Sequence, residues 1–258
     1  MSRFKKFIIT CGVLVIILSG LYVFLRINYY PAILMYHNID AGIARGNTIS
    51  VSPEIFLQQM AFIKSRNYKV VSLNELCGMI KKGERLPGNL VVITFDDGYK
   101  DNLAAVNVLR KLKLPATIFI VLDWVGKEGY LTKQDLNWII HNSPVSLGSH
   151  TLSHFYLPEL SADKQREEVI ASRKKAREEF GIDLSFLAYP VGGFTPEVLR
   201  AAEDAGYECA CTTNRGIMRK PDIYALRRIK ITNHDLGIRL WGKLSGFYNL
   251  FRKLKPPY

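Results

Sequence analysis

Only four of the 258 residues are cysteine and only five are histidine. Four cysteines cannot staple a chain of this length into a disulfide scaffold. Cys11 lies in an apolar N-terminal run. Cys209 and Cys211 sit two apart in a strand-like run, where both side chains share one face and a bridge between them is strained. Cys77 reads as a core residue, so none of the four is assigned to metal or catalysis. Acidic side chains are also short: 23 Asp and Glu face 35 Lys and Arg, leaving a formal net charge of +12. No internal repeat or low-complexity linker divides the chain, which leaves no sign of a repeat array.

Charge is absent altogether from Phe7 to Leu25, where only Thr10, Ser19 and the glycines interrupt the apolar run. At helical rise this stretch spans about 28 Å, close to the hydrocarbon thickness of a bilayer. Arg3, Lys5 and Lys6 precede it and Arg26 follows, a bias that predicts a cytoplasmic N-terminus and a translocated body, periplasmic or extracellular. Tyr22, Tyr29 and Tyr30 suit the far interface. The alternative is a cleaved signal peptide, whose apolar region is usually shorter and ends at a small-residue site. None is evident here, although Ser19-Gly20 leaves cleavage open. The expected organisation is a cytoplasmic stub and membrane anchor over 1–30, spanning the bilayer through residues 7–25, and one catalytic domain over 31–258.

The net positive charge is densest near the C-terminus, at Arg239, Lys243, Arg252, Lys253 and Lys255. Interleaved with Leu240, Trp241, Phe247, Tyr248 and Phe251, these cations fit either a surface for anionic headgroups or an acidic polymer, or a solvated basic tail helix. A translocated body excludes nucleic acid as a partner.

Within the body, strand-like and helix-like runs alternate. Strands are expected at Ala32–Tyr36, Tyr68–Val71, Leu90–Phe95, Ala116–Val121, up to His150, Phe186–Tyr189 and Tyr207–Thr213. Helices are expected at Pro53–Lys64, Leu73–Lys82, Asp101–Leu112, Ala162–Phe180 and Pro196–Ala205. Ser161 is the expected N-cap of the long fourth helix and Gly181 its stop. Its charges, Lys164, Arg166, Glu167, Glu168, Lys174, Lys175 and Glu178, are expected on a solvated outer face. Such alternation predicts parallel strands with crossover helices, whose catalytic groups gather at the carboxyl ends of the strands.

Two motifs fall at those ends. Thr94-Phe95-Asp96-Asp97-Gly98 places two carboxylates after the apolar run Leu90–Ile93. His150-Thr151-Leu152-Ser153-His154 places two imidazoles four apart, a spacing suited to one face of a helical turn. One carboxylate and two imidazoles form a common three-ligand set for a catalytic divalent metal with a position open for water. The other carboxylate is then free to act as a base on that water. Neighbouring strand residues point to opposite faces, so Asp96 and Asp97 can share a site only if the strand ends and Gly98 allows a sharp turn. Glycosidase carboxylates, by contrast, flank the sugar from roughly 5 to 9 Å apart on separate segments. The alternative reading of the histidines is a pair of ordinary polar loop residues.

These motifs resemble those of the polysaccharide deacetylase family, also called the NodB-homology family or carbohydrate esterase family 4, and the likeness runs from Pro31 to about Ile231. The resemblance implies a distorted (β/α) barrel that removes N- or O-acetyl groups from sugar polymers, a carbohydrate deacetylase acting on carbon–nitrogen bonds other than peptide bonds. Asp96 is then the base, and Asp97, His150 and His154 hold the metal. That metal is implied to be zinc, with cobalt or nickel as alternatives.

The chain departs from the family pattern twice. The third motif, usually Arg-x-Pro-Phe/Tyr-Gly, reads Ala188-Tyr189-Pro190-Val191-Gly192 and lacks the arginine that orients the catalytic aspartate. This form resembles a branch acting on exported polysaccharides, in which a later Leu-x-Arg-Ile segment supplies the cation. Leu226-Arg227-Arg228-Ile229 fits, with Arg228 as candidate against the reading of one more surface cation. Tyr189, Pro190 and Val191 are the expected substrate and oxyanion contacts, through the Val191 backbone N–H. The late Leu-x-His motif that carries the acid is replaced by Ile231-Thr232-Asn233-His234. Leu34-Met35-Tyr36-His37-Asn38 instead resembles a permuted arrangement, so His37, at a strand's carboxyl end, is preferred over His234 as the acid. His141 lies outside any motif and reads as structural.

The expected function is therefore metal-dependent removal of acetyl, chiefly N-acetyl, groups from a cell-envelope or exported N-acetylated glycan. Two competing readings are a catalytically silent glycan-binding module on the same fold and a hydrolase of a non-glycan amide.

Overall fold

Ala32–Tyr36 is the first strand, β1, and all five of its residues are buried. Such a run needs cover on both faces, which a parallel sheet wrapped by helices supplies. In the computed structural model, which describes residues 3–27, 30–42, 47–213, 222–246, 248 and 255–258, that is the arrangement. The strands that follow are β2 (Lys69–Val70), β3 (Leu90–Phe95), β4 (Ala116–Ile120), β5 (Val145–Ser149), β6 (Phe186–Ala188), β7 (Cys209–Thr212) and β8 (Leu226–Lys230). Every pairing between them is parallel. The order runs β1-β8-β7-β6-β5-β4-β3, and β1 pairs again with β3 along its whole length, closing a seven-stranded barrel. The short β2 adds to the first two residues of β3, outside the ring.

Helices run over the outside: α1 (Arg3–Ile27) precedes the barrel, followed by α2 (Pro53–Ser65), α3 (Leu73–Lys81), α4 (Asn102–Leu112), α5 (Lys133–Asn142), α6 (Ala162–Lys175), α7 (Pro196–Asp204) and α8 (Gly237–Leu244). Alternating strand residues divide the core in two. Leu34, Tyr36, Val91, Ile93 and Phe95 pack outward against the helices. Ile33, Leu90, Val92, Phe119, Phe186, Ala188, Cys209, Cys211 and Leu226 form a second cluster, the barrel interior, closed at the strands' amino ends by Leu73, Leu76 and Cys77 of α3. Gly148 of β5 is required there, because a Cβ at this position would lie 2.5 Å from the Phe119 ring. All four cysteines are free thiols. Burial and the neighbouring Cys77 push the Cys209 thiol up, and burial pushes Cys211 up to about 12, so these behave as small apolar side chains.

Local signals account for the helix starts. Ser52 caps α2, and Ser72 with Glu75 forms a capping box on α3. The same device, Thr132 with Asp135, starts α5, a helix the hydrophobic pattern did not announce. The long helix ends earlier than expected: α6 stops at Lys175 and a wider helical turn, Ala176–Phe180, continues to Gly181, whose φ of 70° ends it. Ser161 precedes α6 but its side chain makes no capping hydrogen bond, a correction to its expected role.

By length and composition α1 is long and apolar enough over Arg3–Phe24 to cross a membrane, and none of that stretch is buried in the body. A single such helix at the N-terminus is compatible with an anchor or with a signal sequence. Tyr29, Phe247, Phe251, Arg252 and Lys253 lie outside the described residues. Of the remaining C-terminal group, Leu240 and Leu244 are buried, and the Lys243 ammonium bonds the Asp235 carboxylate at 2.8 Å and Lys230 O at 2.7 Å. This part of the tail is docked on the domain rather than a freely solvated helix.

Candidate metal and active site

β3 ends at Phe95, and the next two residues leave it in different ways. The Asp96 N–H still reaches Tyr36 O of β1 at 3.0 Å, which keeps its side chain inside the barrel. Asp97 takes a φ of 71° and Gly98 one of 73°. A Cβ at Gly98 would lie 2.9 Å from Ile120 Cγ2, so the residue answers both a left-handed backbone and a close approach. This double turn is what lets two adjacent carboxylates face one site.

The histidine segment follows β5. It is not a helical turn, as its spacing had suggested, but a folded loop in which Thr151 and His154 both have left-handed backbone, φ 68° and 66°. His150 N–H donates to Ile120 O at 2.8 Å, and His154 N–H to Thr151 Oγ1 at 3.2 Å. Glu168 of α6 accepts from the Leu152 and Ser153 N–H groups at 3.1 and 2.9 Å, and Asp123 accepts from Ser153 Oγ at 2.7 Å. The charged neighbours of Glu168 along α6 predict a solvated face for it. It is buried, because two loop N–H groups need an acceptor there, and it is one of the groups that shape the histidine loop. Lys175 is likewise half-buried and bonds Asp123 at 2.8 Å.

These turns bring Asp97, His150 and His154 together, with one donor atom from each within 4.8 Å of the others. Asp97 Oδ1 is 3.5 Å from His150 Nε2 and 3.2 Å from His154 Nε2. His150 Nδ1 is bonded to Ala188 O at 2.7 Å, which turns Nε2 toward Asp97. Burial disfavours the Asp97 anion, but the His154 hydrogen bond and the charges of His150 and His37 prevail and hold its carboxyl at about 2. Burial lowers the His150 imidazole. One ionised carboxylate and two converging Nε2 atoms fit a divalent transition ion.

Asp96 lies beside this triad, its Oδ2 3.9 Å from His150 Nε2. Arg228 of β8 grips it: Nη2 donates to Oδ2 at 2.7 Å and Nη1 to Oδ1. The Arg228 side chain is fully buried in the barrel, with Nε donating to Thr212 O at 3.2 Å and the guanidinium 5.3 Å from the Phe119 ring. Burial raises the Asp96 carboxyl, but Arg228, His150 and His37 together bring it below the usual range.

His37 follows β1 directly and lies close enough to Asp96 and Asp97 to act electrostatically on both carboxyls. Its Nδ1 is buried and has no hydrogen-bond partner among the described residues. Its backbone O accepts from Asn102 Nδ2 at 2.7 Å. His234 is exposed in a turn after β8, and His141 is exposed on α5, bonded to Asn137 O at 2.8 Å. In the third motif, Tyr189 is buried with its hydroxyl bonded to Tyr224 O at 2.8 Å, and Pro190 is buried as well. Of the three expected substrate contacts, Val191 alone is exposed, in left-handed conformation at φ 56°.

The pattern of the polysaccharide deacetylases matches residues 83–210. A Bacillus subtilis protein, YxkH, that carries the polysaccharide deacetylase name is 33% identical over 202 residues, covering 78% of this chain and 71% of its own. The chain belongs to the polysaccharide deacetylase family. The deacetylase PplD of Streptococcus pyogenes, solved with acetate, superposes with a TM-score of 0.75 at 26% identity, covering 83% of this chain and 97% of that one. The poly-beta-1,6-N-acetyl-D-glucosamine N-deacetylase of Staphylococcus epidermidis is 25% identical over 201 residues, 71% of this chain and 68% of its own. The enzymes of this family are carbohydrate deacetylases and metalloenzymes. The barrel described above is their fold.

In this deacetylase an aromatic wall that no sequence pattern announces stands beside the Asp97, His150, His154 triad. Trp124 packs on the His154 ring at 5.0 Å and on Tyr130 at 4.9 Å, and Tyr130 stacks on Tyr99 at 5.2 Å. Burial and the Asp97 carboxylate push the Tyr99 phenol up. No spacing rule connects Tyr99, Trp124 and Tyr130. They meet because the loop after β4 folds back over the end of β3, where the Leu131 N–H bonds Gly98 O at 3.0 Å.

Proposed function

We propose that this deacetylase removes acetyl groups, chiefly N-acetyl, from a cell-envelope or exported polysaccharide, using a divalent metal held by Asp97, His150 and His154. The observation that carries the reading is the placement of the Arg228-clamped Asp96 against that triad at the carboxyl end of the barrel. Zinc suits the donor set best, and cobalt or nickel would be accepted. When bound, such an ion would supply Lewis acidity to the acetyl carbonyl and lower the pKa of water.

The chain's own groups divide the remaining work. Each Asp96 oxygen has two acceptor sites and gives one to Arg228, so the other remains for a water proton. Arg228 keeps Asp96 ionised and fixes its direction. As water attacks the carbonyl carbon, Asp96 takes its proton, and the Val191 peptide is the candidate donor to the developing oxyanion. His37 gives a proton to the departing nitrogen. The acyl C–N bond breaks, and acetate and a free amino sugar leave.

We read α1 as an uncleaved single-pass anchor over residues 1–30, with residues 31–258 the catalytic domain outside the cytoplasm. The basic residues Arg3, Lys5 and Lys6 at the amino end of the helix and the absence of any buried side chain along Arg3–Phe24 support this. Intact mass of the membrane-extracted chain separates anchor from cleaved signal.

Acetate release by the full chain in detergent, assayed on a panel of N-acetylated glycans, tests the function. Activity should vanish on chelation and return with zinc or cobalt. Full activity after metal stripping confirmed by elemental analysis, or tight glycan binding with no acetate release from any glycan, overturns the proposal.

A further inference from the structure

Only Asn28 and Tyr29 separate the end of α1 at Ile27 from Tyr30, and Tyr30 is already buried in the barrel. Its hydroxyl accepts from the Arg227 N–H at 2.8 Å, and the Arg227 guanidinium lies 4.8 Å from its ring. Three Cα steps reach at most about 11 Å. The membrane helix is therefore tied to the amino end of β1, the floor of the barrel. The Asp96 N–H meets Tyr36 at the other end of β1. Six strand steps at the usual rise, with barrel tilt, put the mouth about 15 Å higher along the axis.

The floor next to this tether is basic. Residues 64–90 carry six cations and two carboxylates. Arg66, Lys69, Lys81, Lys82 and Arg85 are all exposed. Backbone pairing places them at the floor: Lys69 pairs with Leu90 at the start of β3, and Lys81 reaches Glu208, just before β7, at 3.5 Å. A second ion pair, Lys82 with Glu84, is loose at 3.9 Å and exposed. At the edge of this face, beside Phe62 and Arg66, α8 exposes Ile238 and Trp241 around a hollow of about 320 Å³. Exposed cations flanked by an exposed tryptophan match the interfacial zone of an anionic leaflet.

We propose that the barrel floor docks on the anionic surface of the membrane that holds α1, so that the metal site faces away from the bilayer. Taken with the deacetylase reading, on which this consequence rests, the substrate is a glycan polymer standing off the membrane. A sugar on a lipid headgroup of the same leaflet cannot reach the mouth.

Hydrogen exchange on the full chain in nanodiscs tests the docking. With phosphatidylglycerol added to phosphatidylcholine, amides in 66–86 and 237–243 should exchange several-fold more slowly, while 150–156 and 190–194 stay unchanged. The effect should fade in 1 M salt, where the Debye length falls from about 8 to about 3 Å. It should also be lost in the variant Lys69→Glu, Lys81→Glu, Lys82→Glu, Arg85→Glu, with the corresponding alanine variant as a control for folding, read by its unfolding temperature. Equal exchange in both lipids, protection of the mouth instead of the floor, or an unprotected α1 overturns the docking. Acetate release from an N-acetylglucosamine lipid in the same disc, as fast as from a soluble N-acetylglucosamine polymer, overturns the orientation. Release from neither would count against the deacetylase reading instead, since the exchange data do not depend on catalysis.

Discussion

Arg228 and Asp96 are 132 positions apart in the chain and meet in a two-point ion pair in the barrel interior, both side chains buried. The family's usual arginine position, four residues before Gly192, is occupied by Ala188 in β6, whose carbonyl instead accepts from His150. A cation from β8 thus enters the barrel from a different strand to reach the same carboxylate.

Removing that cation strands Asp96. Arg228→Leu is expected to cost about 3–5 kcal/mol of stability, the range for breaking a buried pair from one side, and to abolish activity. Arg228→Lys keeps the charge but loses the two-point grip and should retain more stability than activity. Denaturant unfolding and kcat on both variants check this. An Arg228→Leu protein as stable as the parent would show that the pair carries neither role.

The two adjacent aspartates should separate cleanly. Asp96→Asn is expected to keep metal binding and lose several orders of magnitude in kcat, whereas Asp97→Asn should lose the metal. Metal stoichiometry by elemental analysis decides between them. Equal metal loss in both variants would show that the division of roles is wrong.

Glu168 accepts from the Leu152 and Ser153 N–H groups and so positions the histidine loop. Glu168→Ala should weaken metal affinity by about 10- to 100-fold, the usual effect of losing an outer support. With saturating metal, kcat should largely recover. A variant whose metal affinity is unchanged would reduce Glu168 to a stability residue.

His37→Ala should harm kcat far more than His234→Ala, because His37 sits within reach of the charges of Asp96 and Asp97 and His234 is exposed. An acetyl ester with a good leaving group needs little protonation and should largely rescue His37→Ala. If the ester is turned over as poorly as the amide, His37 only braces the site.

Local pattern was enough for much of this protein. Apolar runs gave β1 and β3 to the residue, since a strand covered on both faces must be continuously apolar. The Asp96-Asp97-Gly98 turn and the His150-x-x-x-His154 pair were legible because ligand chemistry demands particular side chains at short spacing. Other features were decided only in three dimensions. β8 reads Leu-Arg-Arg-Ile-Lys, too charged to announce a buried strand, and it is one because Arg228 finds Asp96 and Arg227 finds Tyr30. Glu168 looked solvated because a helix face is judged from its own periodicity, whereas its burial depends on a loop with unpaired N–H groups arriving from β5. The aromatic wall of Tyr99, Trp124 and Tyr130 has no spacing at all. Sequence specifies the groups that must lie close along the chain, and barrel closure chooses the distant partners, because only the folded ring sets which side chains share its interior and which share its rim.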